Sequence, residues 1–161
     1  MDANMLFFTQ CFKSEHKATI DLLRACPADK MDYRPHPINR SARELIEHLV
    51  GHIMDLKVIL LNDFCEETLV VDFASPAEAA DKMDAMWNEV IALLENNTSI
   101  AWQSEEVQLS VSGQPFVKIP RSNMMWFFFF DVIHHRGQLS TYVRPMGGKN
   151  PAVYGYSADT M

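Results

Sequence analysis

At 161 residues the chain is long enough for about one domain with a continuous core of its own. Its 48% apolar and 22% charged residues indicate neither a disordered nor a membrane class, and no apolar run reaches the roughly 18 residues of a membrane-spanning helix. Acidic side chains outnumber basic ones by 21 to 14, and the net charge of −7 repels phosphate backbones, so nucleic acid is not an expected partner.

The opening "MDANMLFFTQCFKSEHK" has no basic stretch ahead of its apolar patch and no small-residue cleavage signal, which points to a cytoplasmic protein. Helical periodicity follows over about Asn4 to Ala25 through Leu6, Phe7, Ile20, Leu22 and Leu23, and stops where Pro27 cannot continue it. After the two prolines of "YRPHPINR", Ser41 stands three residues before Glu44, a capping box that satisfies free amides at a helix start. Ile46, Leu49, Val50, Ile53, Leu56 and Leu60 then recur at three- and four-residue steps, the mark of one buried face.

The third helix has the same start signal in Ser75, Pro76 and Glu78 and runs to about Asn96. Next, "EVQLSVSGQPFVKIP" alternates apolar and polar residues around a Ser-Gly-Gln-Pro turn, a short hairpin or an extended crossover. Ser122 is the expected cap of a fourth helix ending near Arg144, before Pro145 and Gly147-Gly148. The four consecutive phenylalanines 127–130 in that helix read as core. These elements predict an all-α four-helix bundle over residues 1–161 in one domain, with a long connection before the last helix. Cys11, Cys26 and Cys65 are far apart without C-x-x-C spacing and read as thiols.

Charged and imidazole groups directly after the phenylalanines need a partner or solvent, because burying them alone costs several kcal/mol. On a helix, residues four apart stack on one face, which aligns Asp131 with His135 and extends through Gln138 and Tyr142, while His134 points about 100° away. His48 and His52 form a second such pair on the second helix. Bundles build metal sites from facing helices, and imidazole with carboxylate suits zinc, nickel, manganese or iron. Hydrogen-bonded core histidines would leave the same spacing, so spacing alone leaves both open. A ferritin-like di-iron bundle is excluded, because it needs a second carboxylate-x-x-His motif and two further glutamates.

"SARELIEHLVGHI", followed some eighty residues later by "DVIHHRGQLSTYVRPMGGKNPAVYG", resembles the DinB/YfiT-like family of small bacterial four-helix bundles, with His-Arg-Gly-Gln-Leu as the most specific stretch. The resemblance covers essentially the whole chain. It implies a divalent metal on one histidine of the second helix and two of the last, which transfers to His48, position 131 and His135. Position 131 is Asp131 here, so the implied set becomes two histidines and one carboxylate. The resemblance further implies a homodimer and a metal-dependent transferase or hydrolase acting on a small molecule with a low-molecular-weight thiol. His52 is then a candidate base, with Gln138 and Tyr142 lining the pocket. A non-catalytic, stress-associated, dimeric protein that binds a small ligand is the competing expectation.

Overall fold

The computed structural model describes residues 2–96 and 100–160, and among these the chain forms four α-helices and three short strands. Helix α1 (Ala3–Ala25) is capped by Asp2, whose carboxylate accepts from the amides of Asn4 and Met5. Helix α2 (Ala42–Leu61) starts at the predicted capping box: Ser41 Oγ accepts from the Glu44 amide and Glu44 accepts from the Ser41 amide. In α3 (Pro76–Asn96), Ser75 Oγ accepts from the Glu78 amide, while the Glu78 carboxylate takes the amide of Ala74, one residue earlier than a strict box.

Helix α4 (Arg121–Val143) corrects the predicted Ser122 cap. The cap position falls two residues earlier, at Pro120, and the first amides are satisfied by backbone: Arg121 N donates to Glu105 O and Ser122 N to Trp102 O. Ser122 is consequently buried inside the first turn.

Helices α1 and α2 each pack on both α3 and α4, which closes a ring in the order α1, α3, α2, α4. The core between them is aromatic at one level, where Phe12 stacks on Trp87 at 4.4 Å and meets Phe129 edge-on at 5.4 Å. The buried Trp87 indole N–H donates to Phe12 O at 3.1 Å, so its polar edge is not orphaned. The phenylalanine run is only half core: Phe128 and Phe129 are buried, whereas Phe127 and Phe130 are 50% and 62% exposed. Four consecutive helical residues sweep nearly a full turn, so they cannot all face one neighbour.

A three-stranded sheet corrects the all-α expectation. Strands β2 (Glu106–Val111) and β3 (Gln114–Pro120) form the hairpin legible in the sequence, and β1 (Phe64–Glu66) adds to β2 in parallel. The hairpin turns through Ser112 and Gly113, both at positive φ (53° and 73°), as a two-residue turn whose twist matches the strands requires. Three residues of β1 are too few to carry a visible alternation, which is why that strand escaped the pattern. Pairing with β2 continues one residue past β1, where Glu67 N donates to Ser110 O and the chain turns back over α2.

Gly51 makes that return possible, because a Cβ there would lie 2.5 Å from Thr68 O. The fully buried Asp55 of α2 completes the attachment by accepting from Thr68 N and Thr68 Oγ1. At the other end, the C-terminal segment folds back on α1. Buried Arg136 pairs with Glu15 at 2.6 Å and lies against the ring of Tyr154, whose hydroxyl donates to Glu15. None of the described helices is long and apolar enough to cross a membrane.

Candidate metal centre

Three imidazoles converge on one carboxylate oxygen. Asp131 Oδ2 on α4 lies 2.7 Å from His52 Nε2, 3.3 Å from His48 Nε2 and 3.2 Å from His135 Nε2. The four-residue spacing stacks His48 over His52 on α2 and Asp131 over His135 on α4, and packing of the two helices brings the pairs face to face. Glu67 enters from the loop after β1, with Oε1 at 3.9 Å from His48 Nδ1. The cluster opens into a cleft of about 360 Å³ walled by Phe116, Phe127 and Phe128 and rimmed by Arg40.

Contacts from behind fix the rings. Gln138 Oε1 lies 2.7 Å from His135 Nδ1, and Gln138 Nε2 lies 3.0 Å from His134 Nε2. With the amide placed this way, His135 Nδ1–H donates to Gln138, which leaves the Nε2 lone pair of a neutral ring facing Asp131 Oδ2. Two acceptors at 3.2 Å repel each other unless a positive charge, a proton or a metal ion, joins them. His52 Nδ1 is buried with no hydrogen-bond partner among the described residues, and Asp55 Oδ2 at 3.7 Å is beyond hydrogen-bond reach.

The electrostatics follow from burial and these contacts. Burial lowers the His48 pKa below its ordinary value, reinforced by the neighbouring imidazoles and Arg40 and only partly opposed by Asp131. Burial acts the same way on His52, but there the carboxylates of Asp131 and Asp55 prevail and the pKa is raised. Burial opposes ionisation of Asp131 too, yet the three imidazoles outweigh it and hold the carboxyl well below the usual range. Burial pushes Glu67 up. The charge on Asp131 is thus held in place by the imidazoles around it.

The donor set fits a divalent cation. His48, Asp131 and His135 each offer a ligand atom within 4.8 Å of the others, and so do His48, His52 and Glu67, so the two groups share His48. Mixed imidazole and carboxylate donors at this separation suit zinc and its neighbours in the first transition row. The structure separates the remaining candidates. Gln138 acts on His135 from behind. Tyr142 is buried in a neighbouring trough with its hydroxyl donating to Arg40 O, away from the cleft. His134 lines the same trough, as its 100° rotation from His135 requires. Glu67, Asp55 and Arg40 were not singled out from the sequence, since two lie in loops without periodicity and Asp55 reads as an ordinary polar position on α2.

The sequence profile of the DinB family matches residues 1–161. The chain belongs to the DinB family. A DinB-like protein from Bacillus subtilis is 21% identical, with 93% of this chain and 99% of that one covered and a TM-score of 0.67. A DinB-like protein from Bacillus cereus is also 21% identical, over 91% and 95% of the two chains, with a TM-score of 0.70. At these identities the likeness establishes a common fold. No curated protein matches the chain. In this DinB-family chain Asp131 stands where the resemblance implies a histidine, and a third imidazole arrives from α2 instead, as His52 one turn beyond His48.

Proposed function

We propose that this DinB-family protein holds one divalent cation at His48, Asp131 and His135, with His52 as a further donor, and is a metal-dependent enzyme acting on a small molecule. The observation that carries this is the convergence of three Nε2 atoms on Asp131 Oδ2 within 3.3 Å, in the wall of a cleft. A cation bound there supplies Lewis-acid polarisation and acidifies a thiol or water, which suits transfer to a low-molecular-weight thiol or hydrolysis.

The chain's own residues do the rest. Gln138 keeps His135 in one tautomer, and the pairing of Asp55 with Thr68 holds the loop that carries Glu67 against the site. Phe127 and Phe128 exclude water from one wall, which strengthens every charge interaction inside. Glu67, whose pKa burial pushes up, would hold a proton beside the reacting molecule, and His52 Nε2 would do so where the cation takes only His48, Asp131 and His135.

Elemental analysis of untagged protein incubated with zinc, nickel and manganese tests the proposal, beside His135→Ala and Asp131→Ala. Near-stoichiometric metal in the wild type, lost in both variants, is expected and justifies a screen for thiol transfer; absence of metal from the wild type under every condition sinks it.

A non-catalytic alternative has its own support. Asp131 Oδ2 already sits where the imidazoles meet, and a proton on His52, whose pKa is raised, satisfies the shortest of the three contacts without a cation. An aromatic face of Phe7, Trp126 and Phe130 is also left open, with Phe7 59% exposed, as a homodimer contact would require. A wild type that binds no metal and sediments as two copies would favour a dimeric ligand-binding protein.

A further inference from the structure

We infer that Arg40 is the anion-recognition residue of this site, holding the carboxylate or phosphate end of a small polar molecule whose other end reaches the His48, Asp131 and His135 cluster. The inference rests on the metal-centre proposal only for the choice of cavity.

In a chain with 21 acidic side chains, cations find partners easily. Among the described residues every lysine and arginine lies within 4 Å of a carboxylate except Arg40, Arg43 and Lys149. Arg43 is otherwise engaged, donating to Phe73 O and lying over the Phe73 ring. Arg40 makes no ion pair and no side-chain hydrogen bond among the described residues, although Glu67 lines the same cleft.

Its position is the second observation. Arg40 lines the cleft of about 360 Å³ that holds the histidines, the adjoining trough of about 790 Å³, and a smaller cavity of about 290 Å³ beside Arg34 and Glu44. It supplies the lysine or arginine lining both the cleft and the trough. The rest of the trough wall offers uncharged hydrogen-bonding groups: Asn39, Gln138 and Thr141.

A merely solvated arginine would sit on a loose loop, and this one does not. Arg40 O accepts from the buried Tyr142 hydroxyl at 3.2 Å, and the next residue, Ser41, is the N-cap of α2. The preceding loop is tied by Arg34, which donates to Asn39 O and to both oxygens of Glu44. The guanidinium therefore starts from a fixed backbone and presents an unspent planar fork, which matches carboxylate and phosphate bidentately. An acid end on Arg40 places the remainder of a short molecule along the polar trough or into the phenylalanine-walled cleft.

The test is a backbone-amide NMR titration of the full chain with succinate and, separately, inorganic phosphate. It is run on EDTA-stripped and on zinc-equilibrated protein, for wild type, Arg40→Gln and Arg40→Lys. Arg40 is exposed, and unchanged melting of both variants certifies the fold. Saturable shifts at residues 39–41 and 134–142 are expected, with affinity about tenfold weaker in Arg40→Gln, the loss of one charge-assisted pair, and intermediate in Arg40→Lys. Tighter succinate assigns a carboxylate, and tighter phosphate a phosphate. Equal affinity in wild type and Arg40→Gln, shifts mapping elsewhere, or no saturation by either anion overturns the inference. Arg40-dependent saturation in a protein that retains no zinc would uphold the anion site while the metal proposal fails; retained zinc with affinity indifferent to Arg40 would do the reverse.

Discussion

Replacing Asp131 by alanine in EDTA-stripped protein removes the acceptor nearest the most enclosed imidazole of the cluster. His52 is only 3% exposed, its Nε2 lies 2.7 Å from Asp131 Oδ2, and its Nδ1 already lacks a partner among the described residues. The variant leaves both ring nitrogens without a hydrogen bond in a wall shared with Phe128. A hydrogen bond to a charged group contributes about 1.5–3 kcal/mol. The Asp131 side chain is 32% exposed, so solvent screening points to the lower half, about 1.5–2 kcal/mol. For a chain of this length that is a fall of roughly 5 °C in Tm.

Urea unfolding of wild type, Asp131→Ala, His52→Ala and the double variant isolates the pair, because packing lost with the imidazole alone cancels in the cycle. The pH dependence has a definite sign. The depressed Asp131 pKa contributes stability that is present above the unfolded carboxyl value of about 3.9 and lost as pH falls through the folded value. The raised His52 pKa contributes stability that is complete below the unfolded value of about 6.5 and lost as pH rises through the folded one. The coupling is therefore largest near pH 5–6 and declines on the alkaline side. A coupling below about 0.3 kcal/mol at pH 6, or one that grows with pH, would refute the pairing.

Zinc at about a hundred times its dissociation constant should stabilise the wild type by about 2.7 kcal/mol, near 8 °C in Tm, and His48→Ala should abolish the shift in differential scanning fluorimetry. Gly51→Ala, favourable by helix propensity, should instead lower Tm and weaken zinc binding, because its Cβ meets Thr68 O at 2.5 Å and displaces the loop carrying Glu67; an unchanged melt would contradict this. Cys26 and Cys65 are buried, and burial pushes each thiol up to about 12, so Ellman's reagent should leave both unmodified until denaturant is added. Labelling of either in native protein, located by peptide mass, would show that the core opens more readily than its packing implies.

Much of this architecture is written locally. Ser41 with Glu44, and Ser75 with Pro76 and Glu78, announce two helix starts because capping is a contact between residues three apart. The α2 periodicity names its buried face for the same reason, and the Ser112-Gly113 turn follows from a conformation that few residue pairs adopt. The stacking of His48 with His52 and of Asp131 with His135 is likewise fixed by 3.6 residues per turn.

No local rule contains how these pieces meet. The start of α4 depends on carbonyls of Glu105 and Trp102, and β1 exists because β2 lies beside it. The exposure of Phe127 and Phe130 depends on which helices flank α4 and which faces remain open. The site is the same case. Facing of α2 and α4 puts three imidazoles on one oxygen, a glycine contact brings Glu67 over them, and the loop tied by Arg34 sets Arg40 at the rim. Sequence spacing sets angles around a helix axis, but the distance between groups on different helices is set only when side chains of the whole core interlock.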